Sequence, residues 1–462
     1  MKHTKKYLLV LGLLLLLPTG ALADDLVKDD FTQVSCGEFH NLALRNNGDL
    51  WAWGLNDNGQ VGNGGESDSE SRDTHLPCQA KPVLVLDKVT GMSAGYTHSL
   101  AVRTDGSLWG WGSNVYGELG FDNGDDEVLA PKKIMDDVQD AAAGAFFSLI
   151  LKIDGSLLAC GLNDFGQLGS VNEGNASEPI LIMGQVAAIA VGNYHALAVQ
   201  EDGSLWAWGW NDFGQVGNGG ESDSKREETG NAYQSLPVQI YENGVKRVTA
   251  GASHSLAVME DGVLWCWGLN DEGFLMESDD EILTAPQELL DEIKLACAGN
   301  RRTFVIKDGG SLWGWGCNAF QAMDYNYTTD YTSATPKKIL DNVVDVGSGS
   351  RHTMAVQGDG TLWGWGDNSY GQLAQSPGPL GLPVRIRVEY PAWPEEPVEE
   401  EEEPEPTQAE EEEPEQETPP TKTDRGSPLP FIIGCSVIAL GGLAAFIVWR
   451  KKRKGAVGEW RK

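Results

Sequence analysis

One line of sequence, repeated seven times, constrains the fold of this chain more than any other feature. Its clearest copy spans residues 95–112 and reads GYTHSLAVRTDGSLWGWG. Two apolar runs flank Asp105 and Gly106, a dipeptide suited to the positive φ angles of a tight turn, so the copy predicts an antiparallel hairpin. The copies recur about every 50 residues, and this period, with strands and turns in each unit, predicts a propeller or a solenoid.

Two positions of the repeat hold side chains that invite a functional interpretation. A histidine occupies the first position in five copies, with Phe147 and Arg302 in the other two: His40, His98, His195, His254 and His352. A tryptophan occupies the second position in six copies, with Leu158 in the third: Trp51, Trp109, Trp206, Trp265, Trp313 and Trp363. Equivalent positions of different units lie far apart around a ring, so these histidines do not converge on one metal ion. We expect them to hydrogen-bond between neighbouring strands or units, and we expect the tryptophans to pack in the core.

The full repeat pattern, G-x-x-H-[ST]-L-A-V followed by D-G-x-L-W-x-W-G-x-N-x-x-G-Q-L-G, resembles the repeat of the regulator of chromosome condensation family. The resemblance covers residues 31–388 and is strongest to bacterial members. It implies an all-β fold, a seven-bladed β-propeller, which we assign to residues 24–390. Propellers host unrelated activities, so the resemblance specifies the fold and not the function.

The amino terminus has the layout of a secretory signal. Lys2, Lys5 and Lys6 precede an apolar run, and the small residues up to Ala23 form a cleavage site. We predict a signal peptide over residues 1–23, cleaved between Ala23 and Asp24.

The carboxy-terminal region predicts a membrane anchor. Residues 391–428 are dominated by Glu and Pro, a composition typical of a disordered spacer. Residues 429–449 are apolar over a length that crosses a bilayer, and the basic residues 450–462 should stay in the cytoplasm. The predicted topology is a single-pass cell-membrane protein with an extracellular propeller and a cytoplasmic carboxy terminus.

The repeat phase also predicts how the ring closes. The later copies are each preceded by a proline-led strand, whereas the first copy begins directly at FTQVSCG. The segment LPVRIRVEY, residues 382–390, follows the last copy. We expect this segment to complete the sheet that begins near Phe31, and we expect its deletion to destabilise the ring.

Charge and cysteine usage exclude several classes of function. The net charge is −34, most of it on residues 24–390, so the chain lacks the basic surface that nucleic-acid binding requires. The cysteines show neither paired metal spacing nor a regular disulfide pattern: Cys36, Cys78, Cys160, Cys266, Cys297, Cys317 and Cys435. Acidic turns at residues 62–69, 122–127, 217–224 and 277–281 suggest either solvated surface acids, which we favour, or calcium ligands.

No motif in the sequence predicts catalysis or a cofactor. The chain has no H-E-x-x-H and no nucleophile elbow, and its glycine pairs end hairpins instead of opening phosphate-binding helices. We therefore predict a non-enzymatic cell-surface module that binds an extracellular protein or a cell-envelope ligand. Two alternatives stay open: guanine-nucleotide exchange, implied by the founding members of the resembled family, and an extracellular glycan-active enzyme with paired carboxylates in the central depression.

Overall fold

The computed structural model describes residues 30–71, 73–122, 124–171, 174–226, 229–271, 274–324, 332–378 and 383–388. These residues form seven antiparallel sheets, one for each repeat, arranged as the blades of a ring. The predicted signal peptide, acidic linker, membrane span and basic tail lie outside the described residues. Within the described ranges no helix is long and apolar enough to cross a membrane.

Within each blade, the four main strands run in chain order from the centre of the ring outwards, and in blades 1 and 4 a short extra strand lies outside the fourth. Blades 1 to 3 consist of β1 (Phe31–Cys36), β2 (His40–Arg45), β3 (Leu50–Leu55), β4 (Ser69–Glu70), β5 (Pro77–Leu86), β6 (Val89–Ala94), β7 (His98–Arg103), β8 (Leu108–Ser113), β9 (Glu127–Met135), β10 (Val138–Ala143), β11 (Phe147–Lys152), β12 (Leu157–Gly161) and β13 (Ala176–Met183). Blades 4 and 5 consist of β14 (Val186–Val191), β15 (His195–Gln200), β16 (Leu205–Trp210), β17 (Ser224–Lys225), β18 (Ala232–Tyr241), β19 (Val245–Ala250), β20 (His254–Met259), β21 (Leu264–Leu269) and β22 (Ile282–Leu290). Blades 6 and 7 consist of β23 (Ile293–Ala298), β24 (Arg302–Lys307), β25 (Leu312–Cys317), a 3-10 helix (Ala319–Gln321), β26 (Thr332–Leu340), β27 (Val343–Ser348), β28 (His352–Gln357), β29 (Leu362–Gly366) and β30 (Val384–Ile386).

Each blade is built around the hairpin that the sequence predicts. In blade 2, β7 pairs with β8, and the Arg103 amide donates to the Ser107 carbonyl at 2.9 Å to close the turn. Of the two central turn residues, Gly106 alone takes a positive φ, of 78°. The second and third strands of each blade are almost wholly buried because neighbouring blades cover both faces, whereas the innermost and outermost strands are partly exposed.

The predicted closure of the ring is wrong. The segment β30 pairs with β29 and forms the outer strand of blade 7, so it does not complete the sheet that begins with β1. Blade 1 is complete in itself, with β1 innermost and β5 outside β3. The physical reason is that each proline-led strand hydrogen-bonds to the tryptophan strand of the preceding repeat. Every blade is consequently one continuous stretch of chain.

Side-chain packing and a few hydrogen bonds close the ring between blades 7 and 1. The Val34 amide donates to Asp345 Oδ2 at 2.8 Å, and the Phe31 amide donates to the Gly360 carbonyl at 3.1 Å. One buried apolar cluster spans the seam and includes Phe31, Val34, Trp51, Trp53, Met354, Val356, Leu362, Leu373, Ile386 and Val388. Closure therefore depends on burial across the seam and not on a shared sheet.

We predict that Ile386→Ala lowers the free energy of unfolding by about 2–5 kcal/mol, because it leaves a cavity in the cluster that joins the first and last blades. Ile386 is only 1% exposed. The measurement is urea unfolding of the variant, with Arg387→Ala as control because Arg387 is exposed on the same segment. Equal losses in the two variants would contradict the role given to the buried cluster.

Candidate functional site

The histidines predicted from the repeat lie buried at the seams between blades. His40 Nε2 lies 2.9 Å from Ser99 Oγ of the next blade, and the Ser99 hydroxyl donates to the Gln60 carbonyl at 2.9 Å. Since that hydroxyl uses its own hydrogen on the carbonyl, it accepts from His40 Nε2–H. The same arrangement joins His98 to Ser148 at 3.0 Å, His195 to Ser255 at 2.9 Å, and His352 to Asn41 Oδ1 at 2.7 Å. The structure thus places each of these histidines at a different seam.

The second tryptophan of each repeat completes the same seam. Trp111 Nε1 donates to the Gln60 carbonyl at 2.9 Å, so one carbonyl receives both Ser99 and Trp111 of the following blade. Equivalent bonds run from Trp53, Trp208, Trp267, Trp315 and Trp365 to the preceding blade. All six indoles are fully buried.

The first tryptophans of the repeats lie two residues before the second ones, nearer the hairpin turn that precedes the tryptophan strand. Their indole nitrogens donate to the hydroxyl two residues earlier in four blades: Trp109, Trp206, Trp313 and Trp363. Trp51 is fully buried in the cluster between blades 7 and 1, and Trp265 lies edge-on to Tyr241.

Three seams depart from this pattern. Phe147 replaces the histidine of blade 3, and Ala196 replaces the hydroxyl that would have met it, so both partners are apolar together. Arg302 replaces the histidine of blade 6, and its guanidinium donates to the Gly349 and Ser350 carbonyls at 2.7 Å each. His254 lies edge-on to Phe274, and within the described residues neither of its ring nitrogens has a hydrogen-bond partner.

The candidate site lies on the face where the turns between first and second strands surround the central channel. Each turn contains a glycine followed by one variable residue, and the variable residues are Glu38, Tyr96, Ala145, Asn193, Ala252, Asn300 and Ser350. These turns line a cavity of about 140 Å³, which we call the channel mouth. A Cβ at Gly37 would lie 2.4 Å from the Gly95 carbonyl oxygen, so glycine is required where adjacent turns approach each other.

Beside the channel mouth, seven aromatic rings form a continuous surface over blades 2 to 4, which we call the aromatic belt. Its members are Tyr96, Tyr116, Phe146, Phe165, Tyr194, Trp210 and Phe213, and all seven are partly exposed. Neighbouring ring centroids are between 5.1 Å (Trp210 to Phe213) and 6.4 Å (Phe146 to Tyr194) apart. Aromatic residues on a partly exposed, rigid surface are typical of the centres of protein interfaces.

The charged groups of this face include Glu38, Asp164 and several arginines. Burial raises the pKa of Glu38 to about 7, and hydrogen bonding with Tyr96 and the charge of Arg351 offset only part of that effect. Arg226 pairs with Asp164 at 2.9 Å and lies over the Phe165 ring. Burial raises the pKa of Tyr194 to about 12, so its phenol keeps its proton near neutral pH.

The acidic loops have a structural role where the structure describes them. Asp68 accepts the Ala80 amide at 2.6 Å, and Asp223 accepts the Ser235 amide at 2.8 Å. These two loops also supply β4 and β17, which add a short fifth strand to blades 1 and 4. Across the described residues no group of three or more His, Cys, Asp or Glu side chains is placed to hold a metal ion, and the six cysteines are unpaired.

Sequence reasoning missed the aromatic belt because its residues occupy positions that vary between repeats. Tyr96 and Phe146 come just before the histidine position or its equivalent, whereas Tyr116, Phe165 and Phe213 follow the asparagine that ends each tryptophan strand. The signal available in the sequence was the enrichment of these variable positions in aromatic residues in consecutive repeats. Their contact with each other follows only from the order of the blades.

Comparison with known families agrees with this architecture. The profile of the RCC1-like domain matches residues 16–320, and profiles of the regulator of chromosome condensation (RCC1) repeat match residues 309–356 and 343–372.

Two relatives illustrate how far the sequence likeness extends. The ultraviolet-B receptor UVR8 of Arabidopsis thaliana is 36% identical over 118 residues, which are 26% of this chain and 24% of that protein. The probable E3 ubiquitin-protein ligase HERC3 of Homo sapiens is 36% identical over 109 residues, which are 23% of this chain and 10% of that protein. The match therefore spans about a quarter of the receptor and about a tenth of the ligase.

Solved structures show the same fold. Human WBSCR16 superposes with a TM-score of 0.64 at 23% identity, covering 74% of this chain and 95% of that one. Prp20p of Saccharomyces cerevisiae, whose structure was described with its binding to Gsp1p and histones, superposes with a TM-score of 0.59 at 24% identity, covering 70% and 81% of the two chains.

The buried histidines predict a specific dependence of stability on pH. Burial lowers the pKa of His98 to about 3, below the ordinary value of 6.5, so between these values the unfolded chain binds more protons than the folded one. The free energy of unfolding should therefore fall as the pH drops from 6.5 towards 3. The double variant His98→Phe/Ser148→Ala copies the natural pair Phe147 and Ala196. We expect its free energy of unfolding to fall less than that of the natural chain, by about 1.4 kcal/mol for each pH unit.

The measurement is urea unfolding at pH 7, 6 and 5 for the natural chain and the double variant. Using the difference between the two removes the contribution of carboxyl groups, which both proteins share. Ile153→Ala is the control, because Ile153 is 63% exposed and has no ionisable group, so its removal should leave the slope unchanged. Parallel curves for the natural chain and the double variant would contradict the prediction.

Proposed function

Because the chain belongs to the family of RCC1-like domains, we propose that it is a non-catalytic propeller that binds a protein partner through the aromatic belt. The aromatic belt is the observation that supports this proposal most, because its seven partly exposed rings contact one another and span three blades on one face. Blade-to-blade hydrogen bonds hold the backbone beneath these rings, so binding costs little loss of conformational freedom.

The second part of the proposal is that the propeller is displayed outside the cell. It rests on the sequence alone: the basic and apolar amino terminus, the acidic spacer over residues 391–428 and the apolar run before a basic tail. The partner would then be an extracellular protein or an envelope component.

The geometry of the channel mouth gives little support to a glycan-active enzyme. Glycoside hydrolysis uses a pair of carboxyl groups on either side of the scissile bond. Among the described residues that line the mouth, Glu38 is the one Asp or Glu. Asp345, another buried carboxyl group of the ring, is engaged by the Val34 amide at the seam between blades 7 and 1.

We predict that Trp210→Ala/Phe213→Ala weakens binding of the partner by at least about tenfold, since aromatic residues at an interface centre carry much of the binding energy. The measurement is chemical cross-linking at the cell surface with the natural chain and the variant, followed by quantitative mass spectrometry. Ile153→Ala is the control, because Ile153 is 63% exposed in the hairpin turn on the opposite face. A partner retained by the belt variant and lost in the control would overturn the assignment of the face.

The display is tested separately by protease shaving of intact cells. We expect peptides from the propeller to be released, whereas peptides from residues 450–462 should be protected. Protection of the propeller would contradict the extracellular topology and would make the guanine-nucleotide exchange alternative the next activity to assay.

A further inference from the structure

The backbone donors around the channel mouth are almost all used within the ring. All seven turn glycines donate their amides across their own turn, as Gly95 does to the His98 carbonyl at 2.9 Å. The next residue donates to the turn of the following blade in five cases: Glu38, Tyr96, Ala145, Ala252 and Ser350. A ligand that needs backbone N–H donors, such as a phosphate or a carboxylate, therefore finds few of them here.

The acceptors at the mouth, in contrast, keep capacity for further bonds. The five turn carbonyls that accept these amides each accept one, although a carbonyl oxygen has two lone pairs, and a carboxylate offers about four acceptor positions. Glu38 supplies that carboxylate at the rim, and Asn193 adds a side-chain amide oxygen. The lining consequently favours a ligand that donates hydrogen bonds and carries positive charge.

Rings on this face already hold cations from the chain itself. The Arg226 guanidinium carbon lies 5.2 Å from the Phe165 centroid, and that of Arg351 lies 4.6 Å from Phe320 and 5.5 Å from Phe39. In the described part of the chain no cation lies over the ring of Tyr96, which lines the mouth, or over that of Tyr194, which follows the lining residue Asn193. Among the described residues, neither ring is thus already paired with a cation of this chain, and the face of a tyrosine ring attracts a cation.

We infer that the channel mouth receives a cationic side chain, the ammonium of lysine or the guanidinium of arginine, from the bound protein, with Glu38 as its counter-ion and Tyr96 and Tyr194 beside it. The inference rests on the proposed protein-binding function and specifies the chemistry of the partner. The cavity volume of about 140 Å³ has room for one such head group or for several waters. The net charge of −34 adds a long-range attraction for a cationic partner.

Binding at this position should depend on pH. The groups facing Glu38 are Tyr96, Arg351, Asp57 and Tyr194, and burial raises its pKa to about 7. A cation binds the ionised carboxylate, so affinity should rise by about tenfold between pH 6 and pH 8 as Glu38 loses its proton. The two tyrosines keep their protons over this range because burial raises both of their pKa values.

The test uses the full-length chain and a small probe, Nα-acetyl-lysine methylamide, followed by NMR of the protein labelled with ¹³C at its Glu carboxyl groups. At pH 8 we expect a dissociation constant of about millimolar, typical of a ligand this small, and a shift of the Glu38 signal. The uncharged Nα-acetyl-norleucine methylamide should not bind at the same concentration. Glu38→Gln should weaken the lysine probe by at least about tenfold and abolish the pH dependence.

Asp154→Asn is the matched control, because it removes the same charge from an exposed turn on the opposite face. Equal weakening in Glu38→Gln and Asp154→Asn would show attraction by net charge only and would overturn the inference. Failure of the lysine probe to bind, with the belt variant still losing its partner, would overturn the inference and leave the proposed function standing. If the lysine probe binds but no partner depends on the belt, the proposed function would be overturned and the cation site at the channel mouth would stand.

Discussion

Burial of polar atoms at the seams between blades is the constraint on which the rest of the ring depends. At the seam between blades 1 and 2, the Gln60 carbonyl is the meeting point for the hydroxyl of Ser99 and the indole of Trp111. All of these atoms lie away from water, where an unpaired donor or acceptor costs about 1–3 kcal/mol. The donors of each blade must therefore lie opposite the acceptors of its neighbour. This requirement fixes the spacing of the histidine, hydroxyl and tryptophan positions within each repeat.

Two of the exceptions show how a seam accommodates a residue other than histidine. Phe147 faces a blade whose hydroxyl position is Ala196, so at this position the seam has lost a donor and an acceptor together and the contact is apolar. The bond from Trp208 Nε1 to the Gln167 carbonyl remains at the same seam. Arg302 introduces a fully buried charge, and its guanidinium donates hydrogen bonds to carbonyls of the next blade. The ring is thus held by local matching at each seam, and one departure does not oblige the others to follow.

The sequence predicted the fold well and the closure badly, for a physical reason. Seven copies of one hairpin imply seven blades, since each unit must bury its strands against neighbours. The phase of a repeat, however, does not say whether a proline-led strand pairs with the hairpin before it or after it. The register of Trp51 with Leu84 shows that it pairs with the one before. The contacts within the belt could not be read from the repeat pattern, because Tyr116 and Phe146 come from different repeats and meet only across a seam.

Hydrogen bonding at the seams also separates the residues that repeat around the ring from those that vary. Residues that repeat around the ring are engaged at the seams, and the turn glycines cannot carry side chains, as the approach of a Cβ at Gly192 to within 2.3 Å of the Gly251 carbonyl shows. Variation is left to the residue after each glycine and to the loop after each tryptophan strand. Both sets project from one face, so Glu38, Tyr96 and Asn193 differ from one another without disturbing any seam. The side chains at these positions can therefore change while the ring beneath them stays the same.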